Sequence, residues 1–123
     1  MPVTKLIFFR DEQGNVPLLE WLDLLPKKAR AKCIVKLQRL ALLGHELRRP
    51  EADFLRDGIY ELRARLGRTN YRILYFHHGR ITAVVSHGIQ KERMVPSSEI
   101  DLAIKRKRQF EQAPVKHTFE KEL

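Results

Sequence analysis

The residues best suited to chemistry lie in residues 58–93, where three strand-like runs are joined by two tight turns. Cationic and imidazole side chains are distributed along this segment, among them Arg63, Arg65, Arg72, His87, Lys91 and Arg93. The segment lacks a nearby pair of acidic residues, the arrangement that is typical of hydrolysis by two carboxylates. A compact sheet that presents cations and an imidazole suits a phosphodiester, so the segment points towards RNA.

RNA is cleaved without a metal ion when its own 2′-OH attacks the adjacent phosphate. The protein must accept the 2′-OH proton, stabilise the phosphorane and protonate the departing 5′-oxygen. Arginine suits the phosphate because its planar fork contacts two oxygens, and histidine or a lysine with a lowered pKa moves protons near neutral pH. The catalytic candidates are Arg72, His87 and Lys91, and the candidates for RNA and phosphate binding are Arg63, Arg65 and Arg93.

Several of these candidates also have a structural interpretation. Arg63 and Arg65 fit the solvent-exposed face of an amphipathic strand. Arg72 interrupts an apolar central strand, and a buried cation there needs an anionic partner, for which Glu61 is well placed. His87 fits a hydrogen-bonded histidine in the core or at its rim. These structural alternatives stay open beside the catalytic ones.

Thiol and metal chemistry have little support in the sequence. Cys33 is the only cysteine, so no disulfide forms within the chain and no cysteine-based metal site exists. It falls among helix-core positions and is predicted to be a small buried residue. His45, His77, His78 and His117 show no metal-ligand spacing. We expect no metal ion and no other cofactor.

The elements that must position these residues follow from hydrophobic periodicity and turn residues. In chain order the patterns predict a strand at residues 3–9, helices at 17–25 and 26–43, a polar connection at 45–57, strands at 60–66, 71–76 and 81–85, and a helix opened by Pro96. In the second strand, apolar side chains alternate with Glu61, Arg63 and Arg65, which predicts one buried and one wet face. The order predicts an α+β fold: a small, mostly antiparallel sheet, two helices in the N-terminal half and a C-terminal helix.

Length and charge limit the other possibilities. The 123 residues predict a single domain over residues 1–123, with residues 113–123 as a loosely held tail. A net charge of +9 suits nucleic acid, the ribosome, an anionic membrane surface or an acidic protein. No apolar run approaches the ~20 residues that cross a bilayer, and no secretion signal is present, so we expect a cytoplasmic protein without a membrane partner.

The joint pattern of motifs resembles the RelE/ParE superfamily of toxins, and within it the HigB-like, phage-derived branch. The pattern consists of Glu-Leu-Arg at 61–63, Tyr-Arg-Ile at 71–73, His-Gly at 87–88 followed by Lys91, and Pro-x-x-Glu-Ile at 96–100 opening a basic helix. The resemblance runs from residue 3 to about residue 110. At one point the sequence departs from the family, because HigB-like proteins usually carry two adjacent lysines where this chain has Lys91, Glu92 and Arg93.

The resemblance implies a RelE-like fold and the toxin of a type II toxin–antitoxin pair. Such toxins commonly bind in the ribosomal A site and cut mRNA there, and the antitoxin of this branch is usually a helix-turn-helix protein that represses the shared operon. We therefore expect an mRNA endonuclease that depends on the ribosome and reaches operator DNA only through its antitoxin. Two alternatives stay open: a ParE-like poison of DNA gyrase that cleaves no RNA, and a degenerate module that only binds its antitoxin.

Overall fold

A computed structural model describes residues 4–90 and 93–123, which contain three α-helices and a six-stranded sheet. The elements in chain order are β1 (Lys5–Phe9), α1 (Pro17–Leu24), α2 (Lys27–Leu43), a 3-10 turn (Gly44–Glu46), β2 (Ala52–Arg56), β3 (Ile59–Leu66), β4 (Thr69–His78), β5 (Thr82–Gln90), α3 (Ser97–Gln112) and β6 (Thr118–Phe119). The strand order is β2-β3-β4-β5-β1-β6, and only β1 and β5 run parallel. This architecture confirms the predicted α+β class. Within residues 4–90 and 93–123, no helix combines the length and the hydrophobicity of a membrane span.

The sheet has a helical layer on each face. Because side chains alternate along a strand, neighbouring residues of β4 and β5 enter different cores. Ile73 and Val85 belong to the core beneath α1 and α2, whereas Leu74 and Val84 belong to the core beneath α3. The two central strands are therefore apolar on both faces, as their sequences predicted, and they extend beyond the predicted bounds at residues 71–76 and 81–85.

Close packing of α1 on the sheet depends on a glycine in β5. A Cβ atom added to Gly88 would lie 2.3 Å from Cε3 of Trp21, so the indole occupies the space that a side chain would fill. The Trp21 ring also packs edge-on against Tyr71, with ring centroids 6.2 Å apart. Gly88 thus allows an aromatic side chain of α1 to lie directly on the sheet backbone.

The polar connection predicted at residues 45–57 contains a strand, so that prediction was wrong for its second half. β2 pairs antiparallel with β3 and forms the edge of the sheet. The backbone N–H of Arg63 donates to the carbonyl of Glu51 at 2.7 Å, Ala52 is buried, and Phe54 lies opposite Tyr60. The partners offered by β3 outweigh the weak strand propensity of this polar sequence.

The C-terminal segment lies against β1, which differs from the loosely held tail predicted from residue 113. Thr118–Phe119 form β6 and extend the sheet beyond β1. His117 is buried, its Nδ1 lies 2.7 Å from the carbonyl oxygen of Arg10, and its ring stacks on Phe9 with centroids 5.0 Å apart. The imidazole therefore anchors the tail beside β1.

Candidate nucleic-acid interface

The α3 side of the sheet carries two kinds of surface. At the start of β3 and the end of β4, Ile59 and Phe76 join the apolar core under α3. At the opposite ends of the same strands, Arg63 pairs in register with Arg72, and Arg65 lies two residues further along β3. Strand alternation places all three arginines on this α3 side. We call Arg63, Arg65 and Arg72 the cationic patch.

A buried carboxylate organises the centre of the cationic patch. Glu61 is 2% exposed, and its Oε1 accepts hydrogen bonds at 2.5 Å from Nη1 of Arg72 and from Nε of Arg63. The predicted ion pair between Arg72 and Glu61 is confirmed, whereas the predicted wet face is wrong at Glu61. Burial is possible because two guanidinium groups compensate the charge that leaves water.

Arg65 is the most accessible member of the cationic patch. Its side chain is exposed, and its Nε donates to the carbonyl oxygen of Gly67 at 3.0 Å. Within the described residues no carboxylate forms an ion pair with it. The fork of Arg65 therefore keeps nitrogens available for an anionic ligand, in a geometry that matches two phosphate oxygens.

The imidazole of His87 lies on the same side of the sheet, under the start of α3. Its Nδ1 lies 2.7 Å from Oγ of Ser86, and its Nε2 lies 3.2 Å from Oε1 of Glu99. Burial lowers the pKa of His87, the positive charge of Arg106 lowers it further, and Glu99 acts in the opposite direction. The ring is therefore neutral near pH 7 and has a partner at each nitrogen.

Strand register brings His87 close to the cationic patch. Arg72 pairs with Ile89 across β4 and β5, and Leu74 pairs with His87. Arg72 and His87 are thus diagonal neighbours on one face, a relation that typically separates Cα atoms by about 7–8 Å. A ligand that contacts Arg72 lies near the rim of α3, where His87 is held.

The two remaining candidates follow β5. Lys91 lies outside the described residues, as does Glu92, so its role stays a prediction from the sequence. Arg93 is exposed in a bend before α3. Its side chain forms no hydrogen bond or ion pair with another described residue, so it is open to solvent and ligand.

The contacts of two side chains in this region, Asp53 and Arg106, were not predicted from the sequence. Asp53 accepts from Nη2 of Arg63 at 3.2 Å and from Nη2 of Arg49 at 2.9 Å, and the hydrogen bond from Arg49 is the main cause that lowers the Asp53 pKa. Asp53 was missed because β2 was not predicted. Arg106 lies over the ring of Phe9, 5.4 Å from its centroid. It belongs to the basic run at residues 105–108, and the sequence did not indicate which of these four side chains faces the protein.

Thiol and metal chemistry have no visible site in the described residues. Cys33 is buried, and desolvation raises its pKa to about 12, so the thiol stays protonated. Within residues 4–90 and 93–123, His, Cys, Asp and Glu form no group of three or more able to hold a metal ion. The cationic patch offers charge stabilisation for an anion, with one neutral imidazole beside it.

Comparison with known proteins places this arrangement in a family. The family described as "Phage derived protein Gp49-like (DUF891)" matches residues 20–108, which include α2, the cationic patch and most of α3. The chain is 29% identical over 107 residues to "Probable endoribonuclease HigB1" from two Mycobacterium tuberculosis strains, CDC 1551 / Oshkosh and ATCC 25618 / H37Rv. Each alignment covers 86% of this chain and 84% of the relative. The chain therefore belongs to the phage-derived Gp49-like family, which confirms the HigB-like toxin branch indicated by its sequence motifs.

Proposed function

We propose that this chain is the toxin of a type II toxin–antitoxin pair and an endoribonuclease that cleaves mRNA on the ribosome. Its family and the endoribonuclease name of its mycobacterial relatives support the toxin and the reaction class. The observation that carries the proposal is the cationic patch. Three arginines share one face, two of them oriented by the buried Glu61, and Arg65 remains accessible.

The proposed reaction uses the RNA itself as the nucleophile. The 2′-OH loses its proton as its oxygen attacks the adjacent phosphorus, and the bond from phosphorus to the 5′-oxygen breaks. The 5′-oxygen gains a proton, and the products carry a 2′,3′-cyclic phosphate and a 5′-hydroxyl. Arg65 and Nη1 of Arg63 contact the non-bridging oxygens, whose charge grows in the phosphorane. Arg72, fixed by Glu61, keeps positive charge directly behind them.

Two side chains are candidates for proton transfer, His87 and Lys91. His87 is neutral near pH 7, as a general base must be, but Glu99 and Ser86 already contact its ring nitrogens. Lys91 lies one residue beyond the end of β5 in the sequence and is our leading proton-transfer candidate, with Arg93 as an additional phosphate contact. A proton-transfer residue contributes typically ~10²–10⁴-fold, so its loss is readily measured.

The proposed partners follow from the same function. We assign the ribosome and its mRNA as the target in the cytoplasm, and a helix-turn-helix antitoxin as the inhibitor. The chain would then reach operator DNA only within the complex with that antitoxin. The net charge of +9 favours association with ribosomal RNA, because each neutralised phosphate releases counterions.

Mapping of RNA 5′ ends in cells tests the proposal. Wild-type chain, Arg65→Ala, Lys91→Ala and Arg80→Ala are induced separately at matched protein levels. Arg80 is exposed at the opposite end of β4 and serves as the control for loss of one positive charge. We expect new ends inside translated regions for wild type and Arg80→Ala, and a strong reduction for the other two. Growth arrest with DNA damage and no new ends would favour a gyrase poison, and no arrest from folded protein would favour a degenerate module.

A further inference from the structure

A groove at the outer edge of the sheet has the composition of a nucleotide subsite. It lies between the 3-10 turn and β2, has a volume of about 560 Å³, and is lined by His45, Arg48, Arg49, Phe54 and Tyr60 among others. We propose that it binds one nucleotide of the single-stranded RNA whose phosphates lie on the cationic patch, with the base stacked on Phe54. This subsite rests on the proposed function and extends it to the position of the RNA strand.

Phe54 provides a fixed aromatic surface that faces solvent. Its side chain is 53% exposed, although phenylalanine is usually buried. Its ring lies 5.2 Å from that of Tyr60, which in turn stacks on Tyr75 at 5.5 Å, and His77 packs edge-on against both tyrosines. The supporting rings hold Phe54 while one side stays open. Aromatic rings in this setting stack on nucleobases with little preference for sequence.

Two arginines at the groove suit the phosphate of the same nucleotide. The side chain of Arg48 is exposed and forms no hydrogen bond or ion pair with any other described residue. Arg49 contacts Asp53 at 2.9 Å, yet its side chain remains 76% exposed. The ring of Phe54 matches the base of one nucleotide, and the two guanidinium groups match its phosphate. An acidic peptide would contact only the guanidinium groups.

Asp53 connects the groove to the cationic patch. One oxygen, Oδ2, accepts from Arg49 at the groove and from Arg63 in the patch. Asp53 and Phe54 are neighbours in β2 and therefore point to opposite faces of the sheet. Because β2 is the edge strand, an RNA strand that leaves the patch passes around it without crossing the core. β4 and β2 are two strand spacings apart, roughly 10 Å.

Binding and crosslinking of an uncleavable RNA test this subsite. The probe is an octamer of 2′-O-methyl RNA that carries 5-iodouridine, and binding is measured by fluorescence anisotropy. We expect Phe54→Ala to weaken binding about tenfold, since base stacking on an aromatic side chain typically contributes that much or more. Phe54→Trp should retain the affinity. Val35→Ala, which removes a side chain of similar exposure from α2, should leave it unchanged.

Irradiation of the complex identifies the position of the base. We expect the crosslink in the peptide that contains Phe54 and Tyr60, and its loss in Phe54→Ala, with thermal unfolding used to confirm that this variant is folded. Arg48→Gln offers a second route to the same result, because it changes an exposed side chain without a described partner and should also weaken binding.

Three outcomes would overturn the subsite. In the first, Arg65→Ala weakens RNA binding, Phe54→Ala does not, and crosslinks fall outside β2 and β3; cleavage in cells would then still support the proposed function. In the second, the wild-type chain does not bind the octamer, and the 5′-end mapping decides the proposed function by itself. In the third, Phe54→Ala abolishes binding of the antitoxin and leaves RNA binding intact, which would assign the groove to a protein partner.

Discussion

Glu61 holds two arginines with one buried carboxylate, and this arrangement sets the orientation of the cationic patch. Arg72 is the more buried partner, with 15% of its side chain exposed, and Arg63 has 35% exposed. Removing one member of such a group leaves an uncompensated charge in the protein interior, which is far more costly than loss of an exposed ion pair. Stability and the proposed phosphate binding are therefore linked at Arg72 and separable at Arg65.

A double-mutant cycle measures this link. We expect Arg72→Ala to reduce the free energy of unfolding by about 3 kcal/mol, because Glu61 loses its most buried partner. In the Glu61→Gln background the same change should cost less than about 1 kcal/mol. Urea denaturation gives both values. Equal costs of Arg72→Ala in the two backgrounds would show that the pair does not stabilise the fold.

His77 makes the stability of the fold depend on pH. Desolvation, and secondarily the nearby His45, lowers its pKa from 6.5 to about 4. Between these values the unfolded chain binds a proton that the folded chain does not, so stability falls as pH is lowered from about 6.5 towards 4. His87, whose pKa burial also lowers, contributes with the same sign.

The variant His77→Phe tests this assignment. Nδ1 of His77 is buried and has no hydrogen-bond partner in the described part of the chain, so its removal should stabilise the protein at pH 7 by about 1 kcal/mol. The loss of stability between pH 6.5 and 4 should become smaller, while the share due to His87 remains. Urea denaturation at several pH values measures both effects, and an unchanged pH profile would contradict the assignment.

At the scale of elements, sequence periodicity predicted the existence of the helices and the central strands, although it ended β5 too early, at residue 85. It did not predict the edge strand. β4 and β5 are largely apolar on both faces, and this pattern alone predicts that they are central strands of the sheet. β2 is polar and forms because β3 offers hydrogen-bond partners and a contact for Phe54, information that no local pattern contains. The docked tail was missed for the same reason, since His117 contacts Phe9 of β1 and the carbonyl of Arg10 directly after it, far away in the sequence.

The candidate site shows the same division. Alternation along β3 correctly placed Glu61, Arg63 and Arg65 on one face, but it does not reveal what covers that face. Glu61 is buried because two arginines compensate its charge and because it lies beside the core under α3. Asp53, which links the cationic patch to the groove, became visible only with β2. The role of Lys91 still rests on its position in the sequence.

Packing of α1 on β5 yields a further prediction. Gly88→Ala places a methyl group where the Trp21 ring lies, so the helix or the ring must move. We expect a destabilisation of about 2 kcal/mol and a red shift of tryptophan fluorescence. In a Trp21→Leu background the same change should cost less than about 0.5 kcal/mol, because the clash is absent. A similar cost in both backgrounds would mean that Gly88 is needed for another reason.

At the scale of the whole molecule, the two faces and the edge of the sheet carry different structural features. α1 and α2 cover one face, and α3 covers the end of the other face that lacks the cationic patch. Under the proposed function, the cationic patch and the groove beside β2 carry the RNA contacts, and their arginines supply part of the net charge of +9.

The most direct test of the central claim is cleavage by purified chain on ribosomes programmed with a defined mRNA, followed by analysis of both new ends. We predict a 2′,3′-cyclic phosphate and a 5′-hydroxyl, no cleavage when the nucleotide before the cut carries a 2′-deoxy sugar, and a rate about tenfold to a hundredfold lower for Arg65→Ala than for Arg80→Ala. Ends with a 3′-hydroxyl and a 5′-phosphate, or equal rates for these two variants, would contradict cleavage by the RNA 2′-OH on the cationic patch.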